Sequence, residues 1–192
     1  MNSLSAAAGA VAAAVLTATA LVQPAPAAAA SNSAVSSIPS PSGTIEMHVT
    51  ADCAGDRCTF RTSANLLSPN GATGFPGDTW ARQTISLRSS NKDIWQEVAY
   101  SAPAGMPREV KGANHDNVLS KQLKSINKAE ITATYFGGGP IERFTIDGDA
   151  QPINWVNGQP DPSADLIVCS VIQVVRGGAN VTTPPACAQT GF

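Results

Sequence analysis

Charge is missing from the start of this chain: no Asp, Glu, Lys or Arg precedes Glu46. Two histidines and an aromatic content of 5% leave little for an imidazole-based metal centre or a nucleophile–base pair. An excess of basic residues is also lacking, with 12 Lys and Arg against 14 Asp and Glu. The formal charge of −2 gives no electrostatic ground for binding nucleic acid or an anionic membrane. No G-x-S-x-G elbow, C-x2-C pair, C-x-x-C redox motif or complete D-x-D-x-D-G calcium loop occurs.

The neutral start has a pattern of its own. Ala6–Val22 is apolar apart from small residues and Thr, and Gln23-Pro24-Ala25-Pro26 and a run of Ala follow. An apolar region, a helix-breaking segment and an A-x-A-like site predict a signal peptide over 1–30, cleaved after Ala28 or Ala30. The apolar run is short for a membrane-spanning helix, and Ala adds little transfer free energy. No membrane insertion is therefore expected after cleavage. No Lys or Arg precedes the apolar region. Either translation starts further upstream or the α-amino group alone carries the positive charge. No cysteine closely follows the run, which disfavours a lipid anchor.

Cys53, Cys58, Cys169 and Cys187, four in number, all lie in the segment left after cleavage. An even cysteine count in an exported chain predicts disulfides. Three pairings are possible. Local pairing, Cys53–Cys58 with Cys169–Cys187, closes the shortest loops and is the expected one.

Residues 31–43, rich in Ser and Pro, read as a linker to a β domain over 44–192. From Thr44 the polarity alternates. Ile45, Met47 and Val49 face one way and Glu46, His48 and Thr50 the other, which predicts a half-buried strand. Thr59–Leu67 predicts its hairpin partner across the cysteine-bounded turn. Trp80–Arg88 and Ile94–Tyr100 are further strands. Ile131–Phe136 and Ile141–Ile146 flank Gly137-Gly138-Gly139-Pro140 and predict another hairpin. Asp165–Val175 is the most apolar stretch and predicts a central strand buried on both faces.

One segment carries a helical period. Val118, Leu119, Gln122, Leu123 and Ile126 fall on one side of a wheel, with Lys121, Lys124 and Lys128 opposite. Asn114, Asp116 and Asn117 before it are N-cap types, so a short amphipathic helix is expected over about 116–128. The fold class predicted is mainly β: a β-sandwich of about seven or eight antiparallel strands with that helix added.

Few residues carry candidate chemistry. His48 is read as a surface residue, His115 as a cap or loop residue and the lysine stripe as a solvated helix face. Asp147, Asp149, Asp161 and Asp165 are read as lying in or beside one acidic, Pro-rich loop, Asp147–Asp165, where turn chemistry alone favours Asp. Trp155, flanked by Asn154 and Asn157, is the one Trp outside a predicted strand. It is either tucked under its loop or an exposed anchor for a sugar or protein.

Three short runs then stand together. They are Asn65-Leu66-Leu67 leading to Gly74-Phe75-Pro76-Gly77-Asp78-Thr79-Trp80-Ala81-Arg82-Gln83, then Cys169 with Ile172-Gln173-Val174-Val175, then Cys187-Ala188-Gln189-Thr190. With the Ala-rich start, they resemble small secreted proteins of mycobacteria and related actinomycetes. The resemblance implies export to the cell envelope or beyond, and brings no catalytic residue, cofactor or ligand.

The function expected is a non-enzymatic binding or envelope-interaction module without a cofactor, contacting a protein or glycan through Trp155, Asn154 and Asn157. One alternative is an extracellular hydrolase using carboxylates of the 147–165 segment. The other is a secreted protease inhibitor presenting a rigid loop.

Overall fold

The computed structural model describes residues 32–191, so the expected signal peptide over 1–30 lies outside the described residues. The described residues form thirteen strands and one short 3-10 helix. They build two antiparallel sheets packed face to face, the expected β-sandwich.

The first sheet runs in the order β1 (Asn32–Ser40), β2 (Gly43–Ala54), β3 (Arg57–Ser68), β10 (Thr145–Asn154), β6 (Ile94–Ser101), with β4 (Gly71–Thr73) also on β3. The second runs β12 (Ala179–Thr182), β11 (Leu166–Arg176), β5 (Trp80–Arg88), β9 (Lys128–Phe136), β8 (Val118–Ser125), β7 (Asn114–His115), with β13 (Ala186–Thr190) also on β11.

Period two decides which side chains fill the space between the sheets. In β2, Ile45, Met47, Val49, Ala51 and Cys53 are buried; in β5, Ala81, Gln83, Ile85 and Leu87 are. Gln83 is the polar member of this core. Its Nε2 donates to Thr62 Oγ1 (2.8 Å) and Ser170 Oγ (3.3 Å), and its Oε1 accepts from Tyr135 Oη (2.9 Å). One buried amide thereby ties β5, β9 and β11 to β3 across the sheets. Burial holds the Tyr135 phenol far above its ordinary range, against a weaker opposing pull from Arg143, so it stays a neutral donor.

Both disulfides join directly opposed residues. Cys53–Cys58 staples β2 to β3, and Cys169–Cys187 staples β11 to β13, the local pairing expected.

Five expectations need correction. The helix over 116–128 does not form. Val118–Ser125 is strand β8, paired along its length with β9. Asp116 and Asn117 both have positive φ and make the two-residue turn from β7 into β8. Asn and Asp suit a helix N-cap and a primed hairpin turn equally, and only pairing with β9 chooses between them. Val118 and Ser120 point inward, while Leu119 and Leu123 are left 51% and 55% exposed.

The Ser/Pro-rich linker is strand β1, in register with β2 from Asn32 opposite Ala51 to Ser40 opposite Gly43. Ala34 and Ile38 pack against the core, and Pro39 is tolerated because β1 lies at a sheet edge. The Gly137–Pro140 run is no hairpin: β9 and β10 belong to different sheets, the run carries the chain between them, and most of the strand expected over Ile141–Ile146 is the 3-10 helix Ile141–Phe144, with β10 beginning at Thr145. Strand β11 is central but buried mainly on one face. Val168, Ser170, Ile172 and Val174 are buried, while Cys169, Val171, Gln173 and Val175 are half-buried. The strand count exceeds seven or eight because β1 and β8 replace linker and helix, and because β4, β7, β12 and β13 are very short.

Candidate functional site

The candidate acids do not gather in one loop. Asp147 and Asp149 lie on β10 and point outward beside Gly148, whose face is buried. Two arginines clamp them. Arg108 reaches Asp147 Oδ2 (3.3 Å) and Asp149 Oδ1 (3.8 Å), and Arg57 reaches Asp149 Oδ2 (3.2 Å). Asp161 organises its own turn by accepting from the Ser163 backbone N–H (3.1 Å) and from the Ser163 hydroxyl. Those bonds, with one from Asn154, hold its carboxyl below the ordinary range.

Asp165 ties the start of β11 to the turn after β5. Its Oδ1 accepts from Ser89 Oγ (2.7 Å), Ser90 N and Ser90 Oγ (2.8 Å each), and its Oδ2 from Gln189 (2.8 Å). Burial pushes its carboxyl up, but the Ser89, Ser90 and Gln189 donors outweigh that and hold it below the ordinary range. A general acid needs a raised pKa, so Asp161 and Asp165 are displaced in the wrong direction for that role.

The histidines sit beside carboxylates. His48 Nε2 is 3.4 Å from Glu46 and His115 Nε2 is 3.4 Å from Glu109. Among the described residues neither ring is hydrogen-bonded to a serine, and no group of three or more His, Cys, Asp or Glu is placed to hold a metal ion.

The tryptophan loop is different. The crossover from β10 to β11 turns sharply at 154–158, where Gly158 N–H donates to the Asn154 carbonyl (2.8 Å). Two side-chain amides shape it: Asn154 Oδ1 accepts from Val156 N, and Asn157 Oδ1 from Gln159 N, both at 2.9 Å. The Trp155 N–H donates to the Asp93 carbonyl (2.7 Å), docking the loop on the turn before β6. The backbone is held and the side chains project outward. Trp155 is 60% exposed and Val156 85% exposed.

Trp155 has apolar company. Trp155 lines a shallow groove with Trp95 of β6 and with Lys124, Ser125 and Ile126 at the β8–β9 tip. Lys124 Nζ lies 5.4 Å from the centre of the Trp95 ring, within cation–π range. Ile126 and Leu123 on the same hairpin are 65% and 55% exposed. Sequence reasoning missed Trp95 and Ile126 as members of this groove. Trp95 was hidden by its strand, and Ile126 by its assignment to the apolar side of a helix.

No protein-family model and no curated protein matches this chain. The surface must be read from its own chemistry. Singly scattered apolar side chains are normal on a protein; a contiguous apolar group at two adjoining loop tips is less usual. Two indoles and a lysine offer flat faces for stacking, one N–H donor each and a cation.

Proposed function

We propose that this protein is an exported, non-enzymatic binding module of the cell envelope or extracellular space, and that the Trp155 end of the sandwich contacts a protein or glycan partner. The observation that carries the reading is the exposure of Trp155 and Val156 on a loop with an ordered backbone, next to Trp95, Lys124 and Ile126. An anchor presented on a held loop loses little conformational freedom on binding. Engagement of all four candidate aspartates in arginine pairs or loop-shaping hydrogen bonds favours binding over hydrolysis.

Export is supported by the charge-free, Ala-rich start and by two disulfides, which suit an oxidising compartment. Among the described residues no helix is long and apolar enough to cross a membrane. Amino-terminal sequencing of protein from culture medium should find a start near Ser31. Uncleaved protein in the membrane fraction would overturn export. Actinomycete origin belongs to the same reading and rests on the resemblance alone.

The test of the surface is Trp155→Ala, assayed for binding to isolated envelope glycan and envelope protein. Loss of a central aromatic anchor costs about 2 kcal/mol or more, which is about thirtyfold in Kd. The melting temperature should stay nearly unchanged because the ring is 60% exposed. Wild-type affinity in the variant would remove this surface from consideration.

A further inference from the structure

The sandwich has a second opening, at the end away from Trp155. The registers place it: β10 pairs Ala150 with Cys58 near the Trp155 end, whereas Leu66 lies near the far end of β3, where Ser68 pairs with Gly71 of β4. There a cavity of about 170 Å³ enters between the sheets. Ile45 and Leu66 of the first sheet, Val174 and Val181 of the second, and Phe75 of the β4–β5 crossover supply carbon walls. Leu66, Phe75 and Val174 keep 8%, 5% and 4% exposure, unlike the deeper Ile85 and Ile172 at 0%, so the cavity reaches solvent.

Its mouth is polar and electrically balanced. Arg176 Nε donates to Asp78 Oδ1 (2.7 Å) and its Nη1 to Ser42 Oγ (2.6 Å), so one guanidinium spans the β1–β2 turn, the β5 entry loop and the end of β11. Guanidinium has five N–H groups and carboxylate several lone pairs, so this pair can still both donate and accept.

We propose that this cavity is a binding site for a compact, neutral phenol or alcohol of single-ring size, its apolar body among Ile45, Leu66, Phe75 and Val174 and its hydroxyl at the Arg176–Asp78 pair. Size sets the class. Protein interiors close-pack, and an apolar cavity of about 150 Å³ is known to accept benzene, whereas drug-sized ligands need about 300 Å³ or more. The mouth sets the head group. An anion would gain Arg176 but meet Asp78 and a cation the reverse, while a hydroxyl can donate to the carboxylate and accept from the guanidinium. This site is independent of the Trp155 surface.

The experiment is methyl NMR of the signal-free chain, titrated with 4-ethylphenol, 4-ethylbenzoate and decanoate. Saturable shifts of the Ile45, Leu66, Val174 and Val181 methyls are expected with 4-ethylphenol, at a Kd of about 0.1–1 mM for so small a ligand. Binding of 4-ethylbenzoate should be at least about tenfold weaker, and decanoate should not compete. Val181→Phe puts a ring into the cavity from its rim and should abolish the shifts. Asp78→Asn, at an exposed site, leaves Arg176 unbalanced and should move selectivity toward 4-ethylbenzoate by about tenfold even if the phenylalanine variant fails to fold. No saturable shift in the wild type, shifts centred on Trp155, a wild-type preference for either anion, or undiminished binding in a folded Val181→Phe protein would each overturn the proposal.

Discussion

At the scale of single residues, the tightest constraint is a meeting of two backbones. The chain at 74–79 lies against the Gly137–Pro140 run: Gly139 N–H donates to the Phe75 carbonyl (2.8 Å) and Gly137 N–H to the Thr79 carbonyl (3.0 Å). A Cβ on Gly138 would overlap the carbonyl oxygens of Phe75 and Pro76, whereas one on Gly77 would meet nothing. Gly138→Ala should therefore lower unfolding free energy in urea by about 3 kcal/mol, with Gly77→Ala close to neutral. Equal effects would mean that the crossover can move apart at little cost. Gln96 presents the opposite case. It is 1% exposed, and neither amide atom has a partner among the described residues. Gln96→Met keeps the shape and removes the desolvated amide, so stability should rise by about 1 kcal/mol. A fall would show that a bound water or another group serves that amide.

At the scale of elements, the two disulfides differ in what they restrain. Cys53–Cys58 spans 5 residues of one hairpin, and Cys169–Cys187 spans 18, enclosing β12 as well. Loop entropy assigns about 2 kcal/mol to the first and about 3 kcal/mol to the second. Replacing each pair by alanine should lower the melting temperature in that order, with the larger drop for Cys169 and Cys187. The reverse order would show that the β2–β3 hairpin depends on its staple for more than restraint of the unfolded chain. Strand β8 shows how an element is chosen. Its spacing of Val118, Gln122 and Ile126 suits a helix, but eight residues pair with β9 from Val118 opposite Tyr135 to Ser125 opposite Lys128. A short isolated helix is marginal, and the ladder with β9 satisfies the backbone and covers one edge of that strand.

At the scale of the whole molecule, three carboxylates link charge to packing: Asp78 and Asp165 tie distant segments together, and Asp161 shapes its own turn. Hydrogen bonding from Arg176 holds Asp78 below its ordinary range, as serine donors hold Asp161; at Asp165 the donors prevail over burial. A carboxyl depressed in the folded state binds its proton more readily when unfolded. Its stabilisation is complete above the unfolded value near 3.8 and is lost as pH falls through the lower folded value. The melting temperature should be flat with respect to these groups above about pH 5 and fall below about pH 4. In Asp165→Asn the acid-induced loss should be smaller by about 1 kcal/mol, a figure reduced for solvent screening. An unchanged acid limb would show that the ties from Asp165 to Ser89, Ser90 and Gln189 persist in the unfolded chain or carry no net stability.

The sequence by itself determined the β character and the positions of β2, β3, β5, β6, β9 and β11, favoured the local disulfide pairing, and singled out Trp155 as lying outside the strands. Each depends on order along the chain: alternation in Ile45–Val49, short loops between cysteines, a Trp among turn residues. Tertiary structure alone decided the rest. Residues 32–40 become a strand because β2 offers an open edge, and 118–125 because β9 does. The Gly137–Pro140 run crosses between sheets because the 74–79 backbone accepts it. Trp95, Lys124 and Trp155 form one surface through the convergence of three separate turns at one end of the sandwich, and the Arg176 cavity through a similar convergence at the other. Such meetings join residues far apart in the chain, where local periodicity carries no information.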